Sequence, residues 1–219
     1  MDTYNKKSKS VENVFNKIAE TYVNHFGEDW EFINEIEDFV SNFEPNSTIV
    51  DLGCGSGYIT EFLTKKNLNA IGIDFSSEMI KIAKEKYPNN RFILDDFINL
   101  KKYFKEDSVD GAILIYSLYF VPKEQLNEFF KTLSNVLKKG AKVLFVTQIG
   151  NEEKYVKTSI MLESGVDETI YVNYNMKEQL EELLSNNNFT IDYFKQKKVI
   201  DYKDITDDGR YIVVVTNDK

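Results

Sequence analysis

From residue 48 onward, short runs of β-branched and other apolar residues alternate with segments whose apolar residues recur at helical spacing. This alternation is typical of strand–helix–strand units, which build a mostly parallel α/β sheet with helices on both faces. Two further strands near the end of the chain are expected to complete the sheet as an antiparallel pair. The predicted strands are residues 48–52, 69–74, 91–95, 109–116, 141–147, 189–196 and 210–216.

The segments between these strands carry the end signals of helices. Ser76 and Ser77 can cap the helix that follows them, and Gly140 after a lysine pair is expected to close another. Before residue 48, apolar residues at helical spacing predict two amphipathic helices. The predicted helices are two within residues 11–43, then 58–66, 77–86, 123–138 and about 176–187.

Composition excludes several classes of partner. The formal charge of −9 disfavours the broad basic face that nucleic acids require. No apolar run approaches the roughly 20 residues that cross a bilayer, and the first ten residues lack the apolar centre of a secretory signal. The chain is therefore expected to be cytoplasmic, with no membrane partner. Cys54 is the single cysteine and His25 the single histidine, so no metal site is expected.

The stretch Val50-Asp-Leu-Gly-Cys-Gly-Ser-Gly57 follows the first predicted strand with three alternating glycines. In open parallel sheets, ligands bind beyond the carboxyl ends of the strands, and the second predicted strand ends at Asp74. Asp74 lies 74 − 57 = 17 residues past Gly57, close to the spacing at which an acid accepts hydrogen bonds from a ribose. These features together predict a nucleoside-bearing cofactor.

A nicotinamide dinucleotide fits this stretch less well than a sulfonium cofactor. Only Gly53 and Gly55 match the first half of the G-x-G-x-x-G signature of dinucleotide sites. Asp51 at the entrance to the loop would repel a pyrophosphate. The positive charges of a sulfonium cofactor with an amino-acid tail would instead favour a nearby carboxylate.

Five ordered strings resemble the class I S-adenosylmethionine-dependent methyltransferases. They are VDLGCGSGYIT, GIDFSSEMIKIAKEK, RFILDDFINL, DSVDGAILIYSLYFVPKEQL and LKKGAKVLFVT, and they span about residues 46–147. The resemblance implies a Rossmann-like, doubly wound, seven-stranded sheet with a reversed last hairpin. It also implies S-adenosyl-L-methionine as the cofactor and methyl transfer by in-line displacement as the reaction.

The resemblance implies a role for each matching residue in cofactor binding. The backbone from Gly53 through Gly55 to Gly57 would approach the methionine portion and ribose, and Asp51 would hold the charged tail. Asp74 would accept from both ribose hydroxyls. Phe75 or Met79 would contact adenine, and Tyr116 would end the strand nearest the reacting methyl group. Asp96, which Phe97 follows, would accept from the adenine amino group, and the adjacent Asp95 would point the other way if the segment is extended.

The general base, if the reaction uses one, is not identified by the sequence. Related sequences often have a histidine in the segment after the fourth strand, where this chain has Phe120. Tyr119 and His25 are the candidates that remain for a base, and Tyr22 is a further candidate catalytic residue, because it matches the tyrosine in the family's leading segment. Four further aromatic residues are candidates to line a substrate cavity: Trp30, Tyr155, Tyr171 and Tyr174.

A small-molecule acceptor is predicted, because the chain lacks an Asn- or Asp-Pro-Pro-Tyr string and a Pro-Cys nucleophile. The alternatives are a non-catalytic cofactor-binding or interaction protein on the same fold, a protein or nucleic-acid methyltransferase, and a nicotinamide oxidoreductase. The protein is expected to be a monomer or homodimer.

One domain over residues 1–219 is predicted, since the chain contains no internal repeat or low-complexity linker. Its expected parts are an N-terminal helical cap over 1–45, a cofactor-binding core over 46–147, a substrate or lid segment over 148–180, and a terminal helix and strands over 181–219.

Overall fold

Seven strands form one sheet in the computed structural model, which describes residues 3–27, 31–197 and 209–219. The strands are β1 (Thr48–Leu52), β2 (Asn69–Asp74), β3 (Arg91–Leu94), β4 (Val109–Ile115), β5 (Leu137–Gln148), β8 (Phe189–Lys197) and β9 (Arg210–Asn217). The sheet order is β3-β2-β1-β4-β5-β9-β8; β1 to β5 are parallel, and β9 runs antiparallel to both β5 and β8. The predicted fold class, including the reversed terminal strand, is confirmed.

Helices cover both faces of this sheet, and a separate two-stranded antiparallel sheet lies near its carboxyl edge. Among the helices of the described ranges, none combines the length and apolar character that crossing a bilayer requires. The helices are α1 (Thr3–Phe26), α2 (Ile33–Val40), α3 (Tyr58–Lys65), α4 (Ser77–Lys86), α5 (Lys123–Val136), α6 (Ser159–Glu163) and α7 (Lys177–Ser185), with 3₁₀ turns at Phe97–Lys102 and Leu118–Phe120; the small sheet is β6 (Glu153–Val156) and β7 (Ile170–Asn173).

The β-branched runs form a sheet with two buried faces because successive side chains of a strand point in opposite directions. In β1, Ile49 packs into the apolar cluster that contains Phe39 of α2 and Leu63 of α3. Its neighbour Val50 packs into the cluster on the other face, which includes Phe130 of α5. Both faces are therefore sealed, and the carboxyl edge of the sheet is left to carry polar residues.

The prediction that Gly140 closes a helix is wrong. Helix α5 ends at Val136, and β5 begins at the next residue. Gly140 lies inside β5 with a φ of 78°, where the pairing with β4 jumps from Leu137 opposite Val109 to Lys142 opposite Gly111. The glycine therefore serves a bulge in the strand, since a left-handed residue suits that irregularity.

The N-terminal helix begins about eight residues earlier than its apolar pattern indicates. Lys7 explains the extension, because its ammonium lies 2.8 Å from the carboxylates of both Glu124 and Glu153. Ser10 adds a second contact, since its hydroxyl accepts a hydrogen bond from the backbone N–H of Tyr171. These partners are distant in sequence, so the local pattern does not reveal them.

The segment after β5 packs on α1 rather than on the main sheet. Val14 and Ile18 of α1 share a buried cluster with Met161 of α6 and Ile170 of β7. We call α1 together with residues 153–173 the cap layer. The cap layer lies over the carboxyl ends of the parallel strands, where it contacts α4 and the turn after β4.

Candidate functional site

The three glycines after β1 have left-handed backbones for different reasons. Gly53 has a φ of 76°, and a Cβ there would lie 2.4 Å from the Cβ of Ser117. Gly57 has a φ of 81°, and its Cβ would collide with the ring of Phe92. Gly55, with a φ of 52°, would place a Cβ in open space. Two glycines therefore allow internal packing, while Gly55 leaves backbone open to a ligand.

Asp74 fixes this loop from the end of β2. Its carboxylate accepts hydrogen bonds at 2.9 Å from the backbone N–H groups of Gly55 and Ser76. Burial raises the pKa of Asp74 to about 6, although these two N–H donors oppose the shift. The carboxylate thus links the glycine loop to the start of α4, where Ser76 is the N-cap, as the sequence predicts.

Asp51 is fully buried beside the loop. Its carboxylate accepts a hydrogen bond of 2.6 Å from the Thr60 hydroxyl of α3. Burial raises the pKa of Asp51 to about 7, the Thr60 hydroxyl opposes that shift, and the neighbouring Asp74 adds to it. A nearby cation would reverse the effect by favouring the ionised form.

Asp95 and Asp96 point in opposite directions, as the sequence predicts. Asp96 caps the following 3₁₀ turn through Ile98 and accepts a hydrogen bond of 3.2 Å from the Ser8 hydroxyl of α1. Asp95 instead accepts from Lys102 and Tyr103 on the outer surface. Although partial burial opposes it, hydrogen bonding from these groups lowers the pKa of Asp95 to about 2.

Tyr116 follows β4 with a φ of 58°, which is strained for an aromatic residue. Its hydroxyl donates a hydrogen bond of 2.6 Å to Glu31. The hydroxyl of the next residue, Ser117, donates to the Leu52 carbonyl at 2.6 Å and ties the end of β4 to the end of β1. This turn directs the Tyr116 ring into the wall of a cavity.

The cavity has a volume of about 210 Å³ and lies between the glycine loop and the cap layer. Asp51, Gly53 and Gly55 line it from the loop side, and Phe15 and Met161 line it from the cap layer. Its wall is mostly aromatic and aliphatic. Besides several tyrosines, its lining includes the polar residues Asp51, Ser56, Gln148, Thr158, Ser159 and Arg210.

Five side chains predicted to contact the nucleoside do not line this cavity: Asp74, Phe75, Met79, Asp96 and Phe97. Asp74 is 6 % exposed and Met79 is 1 % exposed. Phe75 packs against the apolar face of α1, and Phe97 packs against Phe129 of α5. Asn16 secures α1 here, because its side-chain oxygen accepts from Ser76, Ser77 and the backbone of Glu78.

Two of the three candidate catalytic residues line the cavity. Burial raises the pKa of Tyr119 above its ordinary value, so its phenol stays protonated at neutral pH and can donate a hydrogen bond. Tyr22 lies on the same wall and packs edge-on against Phe15. His25 is exposed near the end of α1, and its ring nitrogen lies 2.9 Å from Glu163.

The predicted cavity aromatics are divided between the cavity and the surface. Tyr174 lines the cavity. Tyr171 is buried and donates its hydroxyl proton to Glu153, whereas Tyr155 is 45 % exposed. Trp30 lies outside the described residues. Cys54 is a buried free thiol, and burial raises its pKa.

Several site residues were not identified from the sequence. Arg210, Gln148 and Thr158 all line the cavity. Arg210 offered one signal, because the chain has only two arginines and this one begins a predicted buried strand. Among the residues that the structure describes, no group of three histidine, cysteine or carboxylate side chains is placed to hold a metal ion.

The relatives found by sequence comparison are described as methyltransferases. Residues 49–140 match a family model described as a methyltransferase domain. The ubiquinone/menaquinone biosynthesis C-methyltransferase of Campylobacter jejuni is 32 % identical over 165 residues, which is 68 % of this chain and 67 % of that protein. The 18S rRNA (guanine(1575)-N(7))-methyltransferase of Saccharomyces cerevisiae is 34 % identical over 117 residues, covering 49 % and 42 % of the two chains.

Solved structures share the fold. The magnesium protoporphyrin IX methyltransferase of Synechocystis PCC 6803, solved with bound S-adenosylmethionine, has a TM-score of 0.72 at 14 % identity and covers 99 % of this chain and 100 % of its own. The present chain spans about half the length of the first curated relatives that it matches. Its similarity to the Campylobacter protein nevertheless extends over two thirds of both chains. The chain therefore belongs to the class I S-adenosylmethionine-dependent methyltransferases.

Proposed function

We propose that this protein transfers the methyl group of S-adenosylmethionine to a small-molecule acceptor. The observation that carries the proposal is the cavity of about 210 Å³ between the glycine loop and the cap layer. Because the cap layer covers the carboxyl edge of the sheet, the cavity favours a small acceptor over a polymer. The net charge of −9 also disfavours a nucleic-acid substrate.

The residues around the loop fit the cofactor. Gly55 leaves open space at the point where a methionine portion would approach the backbone. Asp51 would pair with the charged amino-acid tail, and that pairing would ionise a carboxylate whose pKa burial raises to about 7. We assign Asp74 to the ribose and Asp96 to the adenine amino group, with α1 moving aside to admit the nucleoside.

S-adenosylmethionine, when bound, supplies a methyl group that its sulfonium charge already activates. The protein then has to orient the acceptor and exclude water, which the aromatic cavity wall is suited to do. Tyr119 would donate a hydrogen bond to the acceptor, since its raised pKa keeps the phenol protonated. Tyr22 stays a candidate catalytic residue. The exposed position of His25 gives its role as a base no support.

A nucleic-acid methyltransferase is the second candidate, and the yeast rRNA methyltransferase among the relatives favours it. A non-catalytic cofactor-binding protein is the third. The cytoplasmic location, the monomeric or homodimeric state and the division of one domain into cap, core and lid segments also stay predictions.

Transfer of an isotopic label distinguishes these candidates. The full chain is incubated with S-adenosylmethionine carrying a deuterated methyl group and an extract from cells that make the protein. The extract is separated into small molecules, RNA and protein, and each fraction is analysed by mass spectrometry. We expect the label in the small-molecule fraction. Label in RNA or protein would contradict the proposed acceptor class, and cofactor binding without any label would favour the non-catalytic alternative.

A further inference from the structure

The Arg210 guanidinium is a buried cation in the wall of the cavity. The residue is 5 % exposed and lies at the start of β9. One of its terminal nitrogens, Nη1, donates a hydrogen bond of 3.1 Å to the Gly209 carbonyl, and its Cζ lies 5.6 Å from the centre of the Tyr116 ring. Within residues 3–27, 31–197 and 209–219, its Nε has no hydrogen-bond partner and no carboxylate forms an ion pair with it.

A buried cation with no anionic partner among the residues described is costly to keep, so its presence calls for a physical reason. Almost all of the basic residues in the chain are lysines, and the other arginine, Arg91, is exposed. Arginine differs from lysine in presenting a planar fork of N–H donors that matches a carboxylate. The chemistry of Arg210 therefore suits recognition of an anion.

The same cavity wall carries two other buried polar groups, from Gln148 and Thr158. Gln148 stands directly opposite Arg210 in the β5–β9 pairing, so the two side chains share one face of the sheet. The Gln148 side-chain oxygen and the Thr158 hydroxyl are both buried without a hydrogen-bond partner among the described residues. Buried polar groups are normally satisfied, so this cluster is built to receive a polar ligand group.

We propose that the methyl acceptor carries a carboxylate, which Arg210 binds through paired hydrogen bonds while Gln148 and Thr158 contact its polar end. The apolar or aromatic body of the acceptor packs against Tyr119, Phe120 and Tyr174 on the cavity wall. This inference rests on the proposed methyl transfer to a small molecule, and it names the chemical class of that molecule.

The strand positions of the two sites distinguish this anion from the cofactor's own carboxylate. The glycine loop follows β1, whereas Arg210 begins β9, and the order β1-β4-β5-β9 puts three strand spacings between the two backbones, about 14 Å at about 4.8 Å a spacing. The guanidinium extends from β9 to the ring of Tyr116, which follows β4. The carboxylate at the glycine loop, Asp51, attracts cations. A single guanidinium also matches the single charge of a carboxylate better than the larger charge of a phosphate.

The test is a titration with matched charged and uncharged probes. 4-Hydroxybenzoate and hexanoate, together with their primary amides, are titrated into the full chain with and without saturating S-adenosylhomocysteine. The wild type should bind at least one carboxylate about tenfold or more tighter than its amide, as a charge-assisted pair predicts. In Arg210→Gln that preference should vanish, while the affinity for S-adenosylhomocysteine stays unchanged. Arg91→Gln, which removes the exposed arginine, is the matched control and should behave as the wild type.

Three results would overturn the inference. The first is that the wild type prefers neither carboxylate over its amide. The second is that the preference survives in Arg210→Gln. The third is that Arg210→Gln loses as much affinity for S-adenosylhomocysteine as for the carboxylate, which would assign Arg210 to the cofactor. If Arg210→Gln does not fold, Arg210→Lys keeps the charge but removes the fork, and should still lose most of the carboxylate affinity. A chain that discriminates carboxylates through Arg210 but binds no S-adenosylhomocysteine would contradict only the proposed function.

Discussion

The Asp74 carboxylate accepts a hydrogen bond of 2.9 Å from the backbone N–H of Gly55, which joins the end of β2 to the loop after β1. One acidic side chain therefore holds the open part of the glycine loop while it faces the place assigned to the ribose. This double role makes Asp74 the most sensitive position of the proposed cofactor site.

Replacing Asp74 by alanine is expected to weaken binding of S-adenosylhomocysteine at least about tenfold. The variant loses a charged acceptor for the ribose, worth about 1.5–3 kcal/mol for each hydrogen bond at most, and it also releases Gly55. Asp96→Ala should have a smaller effect. Asp95→Ala is the matched control, because Asp95 binds Lys102 and Tyr103 on the outer surface. Calorimetry on the folded variants measures all three, and unchanged affinity in Asp74→Ala would refute the ribose assignment.

The raised pKa of Asp51 should give the folded state an unusual dependence of its stability on pH. Its pKa is 3.8 when unfolded and about 7 when folded, so the folded state holds the proton more tightly. The stability contributed by this group is therefore present below about pH 4 and lost as the pH rises through about 7. Asp51→Asn should remove that loss and be more stable than the wild type at pH 8, by about 1 kcal/mol or more.

Thermal unfolding between pH 4 and pH 8 checks this expectation, and Asp95→Asn provides a control of opposite sign. The pKa of Asp95 falls to about 2 on folding, so its stabilisation exists above about pH 4 and is lost as the pH falls towards 2. Asp95→Asn should therefore be less stable than the wild type at neutral pH. A destabilised Asp51→Asn at pH 8 would contradict the account of Asp51.

Alanine substitutions at Gly53 and Gly55 are expected to separate folding from binding. A Cβ at Gly53 would lie 2.4 Å from the Ser117 Cβ, so Gly53→Ala should lose about 2 kcal/mol or more of stability. Gly55→Ala meets open space and should lose only about 1 kcal/mol for its left-handed backbone. It should nevertheless bind S-adenosylhomocysteine more weakly, because the new methyl group occupies the ligand's approach. Wild-type affinity in Gly55→Ala would show that no ligand approaches there.

Asn16 is expected to control how readily α1 uncovers the nucleoside side of the site. Its side-chain oxygen accepts hydrogen bonds at 2.8 Å from Ser76 and at 3.3 Å from both Ser77 and the backbone N–H of Glu78. Asn16→Ala should therefore speed both protease cleavage within α1 and association of S-adenosylhomocysteine, measured by stopped flow. Asn24→Ala, at an exposed position of the same helix, is the control. Equal rates in the wild type and Asn16→Ala would show that α1 does not limit access.

The features that the sequence predicts correctly are those that short stretches of sequence determine. The seven strands, the glycine loop and the acid at the end of β2 were all predicted, because strand periodicity and turn residues report directly on short-range structure. The opposite directions of Asp95 and Asp96 were also predicted, since neighbouring residues of an extended chain alternate.

The features that the sequence does not predict depend on residues that are far apart in the chain. The early start of α1 depends on ion pairs of Lys7 with Glu124 and Glu153, and Gly140 joined a strand because β5 pairs with β4 directly after α5. Arg210 was missed for the same reason. Its burial against Tyr116 becomes visible only once β9 lies beside β5.

The central claim is tested most directly by calorimetric titration of the full chain with S-adenosylmethionine, S-adenosylhomocysteine and a nicotinamide dinucleotide. The account predicts that the first two bind at the glycine loop and that the dinucleotide does not. A folded chain that binds neither of the first two ligands, or that prefers the dinucleotide, would contradict it.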